Sequence, residues 1–80
     1  MVKARVYVTL KKSVFDPQGE TIHEALASMG YRDVAAVRQG KYFEVSVDAP
    51  AEKAKETLDE IARKVLSNPV IESYRVEVLP

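Results

Sequence analysis

The chain has 80 residues, no cysteine and one histidine, so it forms one domain without disulfides or thiolate metal sites and has too few ligands for a transition-metal cage. Twelve basic residues balance twelve acidic ones, which disfavours an electrostatic nucleic-acid binder. No stretch approaches the roughly 20 apolar residues of a membrane span. The strand-like start, interrupted by Lys3 and Arg5, gives the expectation of no signal peptide and a cytoplasmic protein. Small domains without such staples often gain stability by self-association.

The run VKARVYVTL alternates: Val2, Ala4, Val6, Val8 and Leu10 face one way, Lys3, Arg5, Tyr7 and Thr9 the other. Period two with β-branched residues predicts a half-buried strand. A polar connection, Lys11 to Gln18, follows. It is longer than the fold requires. DPQGETIHEALASMGY then reads as a helix, with Asp16 at the N-cap and Pro17 at the first helical position. Ile22, Ala25, Leu26 and Met29 make one apolar face, and Gly30 stands where a left-handed residue would end the helix.

DVAAVRQGKYFEVSVD reads as a hairpin. A two-residue Gln39-Gly40 turn would pair Val34 and Ala36 with Val45 and Phe43, although Gln is a less favoured first turn residue than Asn, so a longer bulged turn stays open. The second helix carries an apolar stripe of Ala51, Ala54, Leu58, Ile61, Ala62 and Val65, and Ser67-Asn68-Pro69 stops it. VIESYRVEVL closes the chain as a strand, with Tyr74, Val76 and Val78 on one side.

The order β-α-β-β-α-β predicts an α+β ferredoxin-like sandwich: a four-stranded antiparallel sheet, strand order 4-1-3-2, with both helices on one face. The open face would centre on Tyr7, Thr9, Tyr42 and Glu44. Such a face is either solvated or a protein contact, and tyrosine suits the latter.

No catalytic constellation accompanies these elements. His23 has no Ser or Cys nucleophile beside it in sequence. Gly19 alone is not a phosphate loop, and Asp16 would repel an anion there. Tyr7 and Tyr42 occupy positions where an RNA-binding sheet stacks bases, but the glycine-aromatic motif and basic surround of that module are missing. The polar connection and the Arg38-Gln39-Gly40-Lys41 tip remain, as loop features suited to contact with a partner.

Five segments, VYVTLK from Val6, VFDPQGETI from Val14, ALASMGY from Ala25, VRQGKYFEV from Val37 and NPVIESYRVEV from Asn68, resemble the PurS family. This family provides the small subunit of phosphoribosylformylglycinamidine synthase. The resemblance covers essentially the whole chain. It implies a non-catalytic subunit that dimerises, as a homodimer or a dimer of dimers. Such a subunit joins a glutaminase subunit to a synthetase subunit and supports ammonia transfer between them. It also implies no cofactor, metal, nucleic acid or membrane partner for this chain, with ATP and Mg used by the synthetase. Lys11, Asp16, Gln18, Arg38 and Lys41 are the expected partner contacts, and Tyr7 and Tyr42 the expected self-association residues. The alternative classes are a ferredoxin-like dimer that binds a small regulatory molecule and, further off, a single-stranded RNA binder.

Overall fold

The apolar alternation of the first segment builds β1 (Val2–Leu10), which occupies the centre of the sheet in a computed structural model describing all 80 residues. After α1 (Pro17–Ser28) come β2 (Gly40–Val47), α2 (Ala51–Ile61), a π-helical turn (Ala62–Leu66) and β3 (Glu72–Val78). β1 pairs antiparallel with β2 on one side and β3 on the other, giving the order β2-β1-β3. No helix is long and apolar enough to cross a membrane.

The register explains the core. Val6 stands opposite Phe43 and Val76, and Val8 opposite Tyr74, so these apolar side chains collect on one sheet face. Ala4, Val6 and Val8 are buried there, beneath Ala54, Leu58 and Ala62 of the second helical segment. The small alanines let that helix approach the sheet closely, and Leu58 fills the space between. The π turn then changes the stripe. Its wider winding carries Val65 outward, where it is 74% exposed, and brings Leu66 against the core instead. Both the amide and the hydroxyl of Ser67 donate to the Ala62 carbonyl, which closes the turn.

The expected fourth strand is absent. The sheet has three strands, and Val34 and Ala36 do not pair with Val45 and Phe43, whose partners lie on β1. The cause is local. A two-residue hairpin turn of the favoured type needs positive φ at its centre, and Gly30 alone has one. The Gln39 amide donates to Asp16 rather than across a hairpin. Residues 34–39 therefore run as a strap beside the start of α1. The remaining strands keep the expected relative order, with the outermost one missing.

α1 forms as its punctuation predicts. Asp16 caps it, accepting from the Gly19 amide at 3.0 Å. At the other end Gly30 takes φ 97°, and the amides of Gly30 and Tyr31 bond back to Ala27 and Leu26, the Schellman pattern. Its packing differs from expectation: the two helices do not share one sheet face. α1 has no broad contact with the strands or α2. Its apolar stripe is left open, with Ile22 41% and Met29 71% exposed. The protomer is accordingly long and flat, 49 × 27 × 13 Å.

Candidate partner-docking site

The C-terminal end of β1, the polar connection, the strap and the start of β3 meet at one end of the sheet. Lys11 extends β1, and its amide donates to the Ile71 carbonyl at 2.9 Å. The chain then turns, with the Val14 amide bonded to the Lys11 carbonyl at 2.9 Å. Arg38 reaches across from the strap. One guanidinium nitrogen donates to the carbonyls of Lys11 at 3.0 Å and Val14 at 3.1 Å.

Asp16 is the junction of the site. It is buried at 6% exposure, yet neither carboxylate oxygen lacks a donor. Oδ1 accepts from Gly19 and Oδ2 from the Gln39 amide at 2.6 Å. These amides, Gln39 first and Gly19 second, outweigh burial and hold the Asp16 carboxyl below the usual carboxylate range. Gly19 is required beside it. A Cβ there would collide with the Val37 carbonyl of the strap and lie 2.5 Å from the Asp16 carboxylate. Gln18 adds a side-chain bond, its Oε1 accepting from Gln39 Nε2 at 2.7 Å.

The five expected contact residues thus converge at one end, in different states. Asp16 is consumed inside the protein. Arg38 is exposed, but one of its guanidinium nitrogens is spent on the Lys11 and Val14 carbonyls. Gln18 and Lys41 are exposed and, with Asp16, Gln39 and Glu72, line a cleft of about 190 Å³. Lys41 lies 3.9 Å from Glu72, too loose and exposed a pair to contribute much. Lys11 and Lys12 are exposed. The residues that sequence reasoning missed are Gly19 and Gln39. Both lie in segments that carry the resemblance, VFDPQGETI and VRQGKYFEV.

On the uncovered sheet face Tyr7 stands directly opposite Tyr42 and Arg75. The tyrosine rings stack at 5.5 Å and 27°, and the Arg75 guanidinium lies 4.3 Å over Tyr7. Arg5 and Glu77 pair at 3.2 Å beside them. Tyr7 is therefore engaged on both sides within the sheet, which leaves it poorly placed to stack a base. Tyr42, at the sheet edge, stays 51% exposed. The role of His23 is structural. Its Nε2 donates to the Val34 carbonyl at 2.8 Å and ties α1 to the strap.

The family model for PurS, phosphoribosylformylglycinamidine (FGAM) synthase, matches residues 3–80. The phosphoribosylformylglycinamidine synthase subunit PurS of Bacillus subtilis is 46% identical over 78 residues, covering 98% of this chain and 93% of that protein. A crystal structure of B. subtilis PurS superposes with a TM-score of 0.91 over the full length of both chains. Methanocaldococcus jannaschii PurS, a subunit of formylglycinamide ribonucleotide amidotransferase, superposes at 0.88 with 39% identity, covering 99% of this chain and 96% of that one. A chain of the Thermotoga maritima PurLQS structure gives 0.89 with 35% identity, covering 98% of this chain and 96% of its own length. This chain belongs to the PurS family of phosphoribosylformylglycinamidine synthase subunits.

Proposed function

We propose that the chain works as the non-catalytic small subunit of phosphoribosylformylglycinamidine synthase in purine biosynthesis. It joins the glutaminase subunit to the ATP-dependent synthetase subunit and supports ammonia transfer between them. ATP and Mg belong to the synthetase, and the assembly works in the cytoplasm. The observation that carries the reading is the match of this protomer, over 98% of its length, to a chain of the T. maritima PurLQS structure. The end of the sheet built around Asp16 is the docking surface, with Lys11, Gln18 and Lys41 outward and Asp16 and Arg38 bracing them from behind.

The chain performs this role as a homodimer. Only nine of 80 residues are buried in the protomer, a thin core for a domain of this size. The Ile22–Met29 stripe of α1 and the half-buried Phe43, Val45 and Val47 of β2 are complementary apolar faces. A second copy supplies the missing cover. The free side of Tyr42, continuous with the Tyr7 stack, is a smaller contact available to join dimers. Reconstitution tests the subunit role. Glutamine-dependent synthesis by the two larger subunits rises when this chain is added, and equal rates with and without it refute the reading.

A further inference from the structure

The strap of residues 34–39 is held at both ends. The Val34 carbonyl accepts from His23, and the Gln39 amide donates to Asp16. Between these ties neither turn nor bend interrupts it, and the amides of Ala35, Ala36, Val37 and Arg38 make no hydrogen bond within the chain. The Val37 carbonyl and the Gln39 amide face the first turn of α1, at Gly19 and Asp16. Backbone groups of successive residues in an extended segment point to opposite edges, so those of Ala36 point away from α1, to the open side. The strap leads directly into β2, itself an outer strand of the sheet. The two make one long edge.

Native edges of this kind are blunted by lysine, proline or a bulge. β2 carries Lys41 and Glu44, but Val34-Ala35-Ala36-Val37 carries neither charge nor proline. The charge that follows is turned aside, since the Arg38 guanidinium reaches back to Lys11 and Val14. Ala35 and Ala36 are exposed and small enough for another backbone to approach closely.

The segment is complementary to itself. Laid antiparallel on its own copy with Ala36 on the axis, it sets Ala35 opposite Val37 and Val34 opposite Arg38. Asp33 falls opposite Gln39 and Arg32 opposite Gly40, so no like charges meet. Such a pairing is two-fold and closes on itself. It also leads β2 of one copy past the end of α1 of the other, where Met29 is 71% exposed. A lone peptide from another protein would satisfy the edge and leave the α1 stripe open, whereas a second copy covers both.

Resting on the homodimer reading above, we propose that the strap is the pairing strand of the dimer, exchanging backbone hydrogen bonds at Ala36 with the strap of a second copy. The fourth strand missing from the protomer forms between copies.

The test uses the full chain. Its lack of cysteine makes Ala36→Cys a clean probe: mild oxidation joins it into a covalent dimer, whereas Val70→Cys, at a position 77% exposed, stays uncoupled. In the wild-type dimer the Ala36 amide exchanges with solvent more slowly than the Ala35 amide, and dilution removes the difference. Ala36→Pro breaks no hydrogen bond within the protomer and lowers self-affinity roughly 10- to 100-fold, the loss of both symmetry-related bonds. A wild-type dimer in which the two amides exchange alike overturns the strap pairing and leaves the homodimer reading intact. So does an Ala36 amide protected only after a larger synthase subunit is added, because the occupant is then that subunit. A wild-type chain that sediments as a monomer at every concentration refutes the homodimer reading itself.

Discussion

The Gln39 backbone amide donates to the Asp16 carboxylate at 2.6 Å across 23 residues of sequence. One carboxylate therefore both starts α1 and anchors the strap. The two roles separate by substitution. Asp16→Asn keeps an oxygen for the Gly19 amide but turns a donor toward Gln39, or the reverse. Asp16→Ala loses both bonds. Urea unfolding places the midpoints in the order wild type, Asn, Ala, and equal midpoints for the two variants remove the second role.

The same carboxylate sets an acid dependence. Its folded pKa lies below the ordinary value, whereas the unfolded value is about 3.9. Its contribution is complete above the unfolded pKa and fades as pH falls through the folded one. The stability gap between wild type and Asp16→Asn therefore narrows on acidification below about pH 4. A gap that stays constant to the acid limit excludes this origin.

Gly19→Ala places a methyl group against the Val37 carbonyl and the Asp16 carboxylate. The expected loss is about 1–3 kcal/mol, typical of overpacking. Faster amide exchange at Gln39 should accompany it, because the strap must move away. A variant of wild-type stability would show that the strap yields freely.

Tyr74 supplies a prediction of opposite sign. Its hydroxyl donates to Asp59 at 2.7 Å, and that bond raises the phenol above its ordinary pKa, with burial and the Asp59 charge adding to it. The contribution is complete below the unfolded value of about 10 and is lost as pH rises through the folded value. Tyr74→Phe is less stable than wild type near neutrality, and the difference closes in strong alkali.

Ile22 and Met29 are exposed in the protomer, so Ile22→Asp with Met29→Asp leaves the protomer folded and opposes pairing of two copies. Sedimentation should show monomers, with self-affinity reduced roughly 100-fold or more. Tyr7→Ser and Tyr42→Ser check the second surface. An unchanged oligomer in all of these variants removes both proposed contacts.

Much of the fold is legible where the signal is local. Alternation marks β1. Asp16, Pro17 and Gly30 bound α1, and the Ala54–Leu58–Ala62 spacing finds the buried face of α2. The missing strand is not legible, because its fate depends on a competition. Gln39 can donate across a hairpin or to Asp16, and the choice is made by a carboxylate far away in sequence. Val65 and Leu66 exchange places for a similar reason, since the π turn leaves no mark in the spacing. At the site, the sequence marks Asp16 as a helix cap and Arg38 as a polar loop residue. Their bonds run into the chain's own backbone, and those distances appear only in the folded structure.

The strap has a thermodynamic consequence. It is tied to α1 through His23 and Val34, and to the loop Lys11–Phe15 through Asp16 and Arg38. This one segment is the hydrogen-bonded link between the two ends. In the proposed assembly, any coupling through this segment between pairing of copies on α1 and docking at the loop is reciprocal, each changing the other's affinity by the same factor.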